Sequence, residues 1–509
     1  MKRGVKNMAL EERRQTIETE QTIGDERVQV LLRAEAIVPG AGREPVTVLL
    51  EEARFCMGEA DVQSGRVVTD GTAYAQALYR LGDDGDAAAL QASAPLSRAI
   101  DIAGAEPGMS CLADGQIEHV EAGYENGHIV FLISVALHVR VLQLEKRELL
   151  TALEGEEGIE QRTKQVSSIK LSAESSAQAL LEGDARMPPV LDARTALMDW
   201  GSVRIDEAKP DLGGIKVSGA VLAEALVGSG VPGRPVALVK YALPFQQLVD
   251  LPEWLALNVE TGAELRRLSA ALRPAEDGST ALHFEAEVDL RVQAMGRDDI
   301  AALSDAYGTG PVDLKCGMQE ISCCTAAEPV LQRETVRANM LLEEGAPSAG
   351  TIVAVRARPQ IAQIEPAAAG TRLSGILETQ ALYLASGSGQ LCCARQDLPF
   401  SLESPFILSE SDDIRLDVES ADASALMNDR LEISCALRLS GTHRREENIA
   451  LVASAQSIPA EKQPFGVVLY WPSEGEDLWE IGRRYRMSAG RIEQLNAERD
   501  GSGPLVVRG

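Results

Sequence analysis

The residue types that most often carry out chemistry in proteins are few and scattered in this chain. The 509 residues include only five histidines: His119, His128, His138, His283 and His443. His128 and His138 can share one strand face, but ten positions separate them, roughly 33 Å along an extended strand. His283 is followed by alternating acidic residues at 285–289, which predict a solvated strand face rather than a metal site. The sequence therefore predicts no metal site.

Cysteine spacing and the standard motifs do not indicate catalysis either. The eight cysteines include no Cys-x-x-Cys pair, and four of them are sequence neighbours, Cys323–Cys324 and Cys392–Cys393. Adjacent cysteines are poor material for a disulfide framework, so we expect reduced, structural thiols. The chain has no phosphate-binding loop, nucleophile elbow, zinc-protease motif or dinucleotide fingerprint. We expect a protein that is not an enzyme, with no cofactor.

Charge and hydropathy patterning narrow the classes of partner. The chain has 49 Lys and Arg against 77 Asp and Glu, a net charge of −28. Such a surface repels nucleic-acid phosphates and anionic lipid. The N-terminal "MKRGVKNMALEERRQTIETE" lacks the apolar core of a signal peptide, and no stretch approaches 18 apolar residues. We therefore expect a cytoplasmic protein without a membrane span.

The elements that would position any site repeat three times along the chain. Each copy has an apolar run, a central glycine and a proline 24 or 25 residues later. These positions are Gly71 and Pro95, Gly219 and Pro244, and Gly375 and Pro399. A tight-turn signal follows in each copy: Asn126-Gly127, Asp277-Gly278 and Asn428-Asp429. The strands that follow alternate apolar and polar residues in one register, with apolar side chains at 131–139, 282–290 and 433–439.

This repetition predicts a mainly β chain of three tandem antiparallel domains, each a sandwich or a partly open barrel with its own core. A small α+β module is expected behind them. The expected ranges are a polar N-terminal segment at 1–25, β domains at 26–150, 165–300 and 320–455, and a C-terminal module at 464–509.

The C-terminal stretch "EGEDLWEIGRRYRMSAGRIEQLN" has a helical period instead of a strand period. Asp477 is a good N-cap with Glu480 three residues later, and Ser488 can cap a second helix. Leu478, Ile481 and Tyr485 fall on one helical face, and we expect Trp479 to supply much of the small core. The prediction is a strand, a helix, a short link and a second helix.

This stretch resembles a LysM domain. The matching residues are Gly475, Leu478, Trp479, Ile481, Tyr485, Ile492, Leu495 and Asn496, with Asp477 where the family has Thr or Ser. The family closes with a strand that this chain's "PLVVRG" matches poorly, so we expect the last strand to be missing or shortened. The resemblance implies a binding groove or docking surface at the loops 472–478 and 496–504. Its residues would be Gly475, Asp477, Leu478, Trp479, Ile481, Tyr485 and Asn496.

The remaining chain resembles the SPOCS-domain proteins of the spore coat of endospore-forming Firmicutes. The stretches that carry the likeness are "VQVLLRAEAIVPG", "GRVVTDGTAYAQALY", "APLSRAID" and "FLISVALHVRV". Three such segments followed by one LysM domain are similar to the SipL-like spore morphogenesis proteins of clostridia. The resemblance implies a scaffold in the mother-cell cytoplasm whose LysM domain engages a SpoIVA-like coat morphogenetic protein at the forespore surface. The alternative is binding of peptidoglycan or another N-acetylglucosamine glycan, and a wall hydrolase ranks last.

Overall fold

The computed structural model describes residues 10–40, 42, 44–82, 85–251, 258–275, 279–409, 412–427, 429–460, 466–473, 475–497 and 503–508. Strands take up 80% of the structure and helices 4%, which confirms the mainly β class with a small helical piece at the C-terminus. The predicted turn at Asp277-Gly278, and Asn428 of the third turn, lie outside the described residues. Within the described residues, no helix is long and apolar enough to cross a bilayer.

Each of the three copies contributes six strands to the described part of the chain. The first copy has β1 (Glu11–Ile37), β2 (Val46–Gln63), β3 (Arg66–Leu81), β4 (Ala87–Asp101), β5 (Ser110–Glu125) and β6 (His128–Glu154). The second has β7 (Ile159–Arg186), β8 (Ala193–Asp211), β9 (Gly214–Ser229), β10 (Val236–Asp250), β11 (Asn258–Pro274) and β12 (Thr280–Gly308), with a short 3-10 turn at Pro189–Leu191. The third has β13 (Val312–Leu341), β14 (Ala349–Ala367), β15 (Gly370–Ala385), β16 (Leu391–Ser404), β17 (Asp413–Met427) and β18 (Arg430–Pro459).

The six strands of a copy form two three-stranded antiparallel sheets. In the first copy the orders are β1-β6-β5 and β2-β3-β4, and the other copies repeat them as β7-β12-β11, β8-β9-β10, β13-β18-β17 and β14-β15-β16. The sixth strand of each copy is the centre of its sheet, and its alternating apolar side chains are buried as the register predicts. Phe131, Phe284 and Ile433 are examples, each at most 1% exposed. The predicted turn Asn126-Gly127 is also confirmed, with positive φ at both residues.

The repeated glycine lies in the middle strand of the second sheet, opposite the residue that follows the repeated proline. In the second copy Gly219 pairs with Phe245, and a Cβ at Gly219 would collide with the Phe245 ring and with the Arg204 carbonyl. The same arrangement holds for Gly375 and Phe400 in the third copy. The glycine therefore makes room for an aromatic ring in the core of each of these two copies.

The first and last strands of each copy run on beyond the sandwich as a two-stranded arm. Where an arm begins, the ladder skips one residue: Ile23 in β1, Ser172 in β7 and Thr325 in β13. An extra residue of this kind bends a strand and sharpens its twist. The arms pair 11–22 with 142–154, 159–171 with 295–308, and 312–324 with 446–459. β1 thus begins inside the stretch predicted to be a polar N-terminal segment.

The three arms pack on one another around a shared apolar core. Its buried members come from all three arms: Ile17 and Leu149; Val166, Ile300 and Ala302; and Ile321, Cys323, Ile449 and Leu451. A second shared core joins the β2, β8 and β14 sheets through Leu78, Leu226 and Leu382, each fully buried. Ion pairs tie the first copy to both others, Glu18 to Lys170 at 2.5 Å and Glu20 to Arg444 at 2.6 Å. Each copy therefore has its own core, as predicted, and the three copies also pack on one another through these two shared cores.

The C-terminal module has four elements: β19 (Val467–Tyr470), α1 (Leu478–Tyr485), α2 (Ala489–Leu495) and β20 (Leu505–Arg508). β20 pairs antiparallel with the whole of β19, so the last strand, expected to be missing or shortened, is present and is four residues long. Ile481, Met487, Ile492, Leu505 and Val507 form the buried core of the module. The closing strand completes the sheet, and its Leu505 and Val507 are buried in one cluster with Ile481 of α1 and Ile492 of α2.

Candidate interaction surface

Side-chain caps begin both helices of the module, as the sequence predicts. The Asp477 carboxylate accepts a hydrogen bond from the Glu480 backbone N–H at 2.8 Å, and the Ser488 hydroxyl accepts one from the Arg491 N–H at 3.2 Å. Gly475, in the loop before α1, has φ of +83°, a conformation that glycine adopts without strain. The loop–helix boundary that the LysM resemblance singles out is therefore well defined locally.

Several residues predicted to bind lie inside the module. Leu478 and Tyr485 pack against its core, and Ile481 is fully buried within it. The Asn496 side chain links α2 to β20. Its amide N–H groups donate to the Ile492 carbonyl at 2.7 Å and to the Val506 carbonyl at 3.0 Å, and its amide oxygen accepts from the Val506 N–H at 2.7 Å. These side chains hold the fold of the module.

Trp479 faces the second arm rather than the core of the module. Its indole N–H donates to the Asp305 carboxylate at 2.8 Å, and its ring meets Tyr307 edge-on with centroids 4.8 Å apart. Arg483 also binds Asp305, at 3.0 Å, and Arg162 of β7 forms an ion pair with Asp477 at 2.9 Å. The predicted site residues Asp477 and Trp479 thus contact the body that the three copies form. The prediction that Trp479 supplies much of the core of the module was wrong.

Arg486 completes the junction, and sequence reasoning did not single it out. It ends α1 with φ of +56°, and its guanidinium donates to the carbonyls of Gly310 at 3.1 Å and Val312 at 2.9 Å, in the turn between the second and third arms. The Tyr307 hydroxyl donates to the Met487 carbonyl at 2.9 Å. Burial, together with neighbouring carboxylates such as that of Asp305, raises the pKa of Tyr307 to about 12, so this donor stays protonated.

The opposite side of the module is open. On β19, the side chains of Val467 and Leu469 are 62% and 53% exposed, and the next residue with the same alternation, Trp471, is 66% exposed. Glu474 and residues 498–502, which belong to the two loops of the predicted groove, lie outside the described residues. The assignment of the groove to ligand binding remains a prediction.

A cavity of about 890 Å³ lies where the three sandwiches meet, lined by side chains from every copy. Several charged groups there are paired across copies; Glu52 of β2, for example, binds Arg356 of β14 at 2.6 Å and Arg358 at 3.2 Å. Asp199 of β8 is an exception: it is 7% exposed and one carboxylate oxygen has no hydrogen-bond partner. Burial raises the pKa of Asp199. Among the described residues, no group of three or more His, Cys, Asp and Glu could hold a metal ion.

Comparison with known protein families gives a match in the first copy. Residues 46–125 match the family model described as SipL, SPOCS domain. The match begins with β2 and ends with β5, the strands of the first copy that lie between its two arm strands. It supports a SipL-like protein with a sporulation-related role and a spore-related location. Searches among curated proteins and among solved structures gave no match.

Proposed function

We propose that this chain is a non-enzymatic assembly scaffold of spore coat morphogenesis. In this role the body of three copies is a rigid platform in the mother-cell cytoplasm, and the LysM-like module docks onto a coat basement protein of the SpoIVA type at the forespore surface. The observation that carries the proposal is the SPOCS-domain match in a copy that is repeated twice more and followed by a separate βααβ module.

The charge distribution supports docking through the module. Residues 466–509 contain seven acidic residues and six arginines, whereas residues 1–465 contain 70 acidic and 43 basic residues. The body therefore carries almost all of the net negative charge, which favours solubility and repels other acidic surfaces. A nearly neutral module at the edge of such a body is the surface that a neutral or acidic partner can approach at least electrostatic cost.

Binding to the purified SpoIVA-type protein from the same organism tests the proposal. We expect the full chain to bind in a pull-down and in biolayer interferometry, and the chain lacking residues 466–509 to lose binding. Leu180→Ser is the matched control, since Leu180 is 74% exposed on β7 of the body and its replacement leaves the module untouched. Equal binding by the deletion variant would contradict docking through the module.

Glycan binding is the second candidate, because β20 completes the βααβ arrangement that a LysM domain uses for N-acetylglucosamine chains. Titration with chitin oligomers and with soluble peptidoglycan fragments tests it in the full chain. Saturable binding that the deletion of 466–509 abolishes would favour this function. Binding of the coat protein without any response to glycans would favour the scaffold.

A further inference from the structure

The backbone of β19 offers unpaired hydrogen-bonding groups along one edge. The N–H and C=O of Val506 bind the Asn496 amide and so point away from β19. Val506 is opposite Leu469, so this pair is of the non-hydrogen-bonded kind, and the backbone groups of Leu469 also point away from its partner strand. The alternation of an antiparallel ladder gives the same orientation to Val467, opposite Arg508. Within the described residues, neither Val467 nor Leu469 has an outward hydrogen-bond partner.

The other edge of this small sheet is closed at Val506. On β20 the Asn496 side chain satisfies both outward backbone groups of Val506. The side of the module that carries Trp479 and Arg486 is fixed to the second arm and to the turn between the second and third arms. The outer edge of β19 is therefore where the module can extend its sheet.

The side chains along this edge are apolar. Val467, Leu469 and Trp471 alternate along the chain and are all more than half exposed, and Val468 on the other face is 37% exposed. Natural proteins usually protect such edges with charges, prolines or bulges, because an open apolar edge strand pairs readily with another strand. The described segment 467–471 contains no charged residue and no proline, and the β19–β20 ladder has no bulge.

The size of the surface indicates what can occupy it. The four exposed side chains offer on the order of 400 Å² of apolar area, roughly half of the ~800 Å² per partner that a standard interface buries. A second copy of this chain would need a larger complementary surface for a stable dimer. An extended segment of about five residues fits, because its backbone would pair with Val467 and Leu469 while alternate side chains cover Leu469 and Trp471.

We propose that β19 accepts an extended apolar peptide segment of the docking partner as a third strand of the module's sheet. This inference rests on the proposed function, since it specifies the surface through which the module would dock. The segment would carry apolar residues at every second position and, because the module is almost neutral, would need no net charge to bind.

Leu469→Pro in the full chain tests the proposal. The Leu469 N–H points away from β20, so proline removes the outward donor without breaking a bond of the β19–β20 ladder, and proline is tolerated at such edge positions. The probe is a fluorescein-labelled ten-residue peptide with Val at every second position and Thr or Lys between, compared with a peptide of the same composition whose valines are clustered. We expect saturable binding of the first peptide by the wild-type chain and at least a tenfold weaker affinity for Leu469→Pro.

Arg491→Ala is the matched control, because Arg491 is exposed and lies on α2 rather than on β19, and it should bind as the wild-type chain does. Circular dichroism and thermal unfolding check that Leu469→Pro remains folded, and Trp471→Ala provides a second variant that leaves the backbone unchanged. Equal affinity of wild type and both variants for the peptide, or no discrimination between the two peptides, would overturn the inference.

The coat protein separates the inference from the proposed function. If deletion of 466–509 abolishes coat-protein binding and Leu469→Pro does not, the module docks by another surface and the inference fails alone. If the coat protein binds equally well without the module, the proposed function fails, irrespective of the result of the peptide-binding experiment. A concentration-dependent dimer that Leu469→Pro disrupts would assign the edge to self-association and overturn the peptide proposal.

Discussion

At the level of single residues, Arg486 determines how the module sits on the body. One guanidinium binds carbonyls on both sides of the turn between the second and third arms, and it does so from the end of α1. The indole of Trp479 and the carboxylate of Asp305 add a second contact nearby. These groups convert a sequence-adjacent module into one with a fixed orientation.

We expect Arg486→Ala to loosen this junction without unfolding the module. Hydrogen bonds from a charged donor contribute about 1.5–3 kcal/mol each, and none of the groups lost belongs to the core around Ile481. Hydrogen–deuterium exchange should become faster at Tyr307 and Met487, whereas the β19–β20 ladder should remain protected. Unchanged exchange at the junction would show that Trp479 alone holds the module in place, and Arg491→Ala serves as the control.

Asp199 is a second residue whose side chain is expected to change the free energy of unfolding, in a way that depends on pH. Its carboxylate is buried at the central cavity, and burial raises its pKa. A raised folded-state pKa means that the folded protein binds the proton more tightly than the unfolded chain does. The corresponding stability is present below the unfolded pKa of about 3.9 and is lost as the pH rises through the folded value.

Asp199→Asn should therefore stabilise the protein at pH 7, on the order of 1–3 kcal/mol, because it removes a buried charge at almost constant shape. The gain should shrink as the pH falls towards 4, where Asp199 itself takes up the proton. Thermal unfolding of wild type and variant between pH 4 and 7 measures this. Asp101→Asn, at an exposed position on β4, should change neither the midpoint nor its pH dependence; a destabilised Asp199→Asn would refute the argument.

At the level of elements, the sandwiches depend on close contact between a glycine and an aromatic ring. Gly219 in the centre of its sheet leaves space that the Phe245 ring and the Arg204 carbonyl occupy. In the β1, β7 and β13 sheets, the bulges at Ile23, Ser172 and Thr325 mark where the long strands leave the sandwiches and continue into the arms.

Gly219→Ala should destabilise the protein by about 1–3 kcal/mol, since added atoms in a packed core force backbone or ring shifts. Gly262→Ala is a matched control: Gly262 also lies in a strand of the second copy, but a Cβ there has nothing within 4 Å. Thermal unfolding of both variants measures the difference. Equal midpoints would mean that the ring at Phe245 can move aside without cost.

At the level of the whole molecule, three copies form one closed body. Each copy has a core of its own. In addition, the three arms share one core, and the β2, β8 and β14 sheets share another. Leu78, Leu226 and Leu382 occupy equivalent positions in the three copies and meet in the second of these shared cores. The stability of one copy is therefore coupled to that of the others.

We expect the body to unfold in one cooperative calorimetric transition instead of three independent ones. Leu226→Ala, which removes a fully buried side chain from the shared core, should lower that transition as a whole, by about 2–5 kcal/mol. Leu212→Ala is the control, because Leu212 is 93% exposed. A variant in which only the second copy melts early would show that the copies are energetically separate.

The sequence alone determined the features that depend on neighbouring residues. The alternation at 131–139 and its two repeats predicted which strand faces are buried, and the structure buries them. The capping residues Asp477 and Ser488 marked the helix starts in the same way. These patterns are local, because a strand face repeats every second residue and a cap acts within one helical turn.

Only the tertiary structure decided how these elements combine. The arms and their shared core join residues as distant as Ile17 and Leu451, and the module meets the body through Trp479 and Asp305, which are 174 positions apart. In a sequence, each of these residues resembles many others of its type, and nothing local distinguishes the pairs that meet. The open edge of β19 likewise becomes visible only when Asn496 is seen to close the opposite edge, because an edge is a property of the whole sheet.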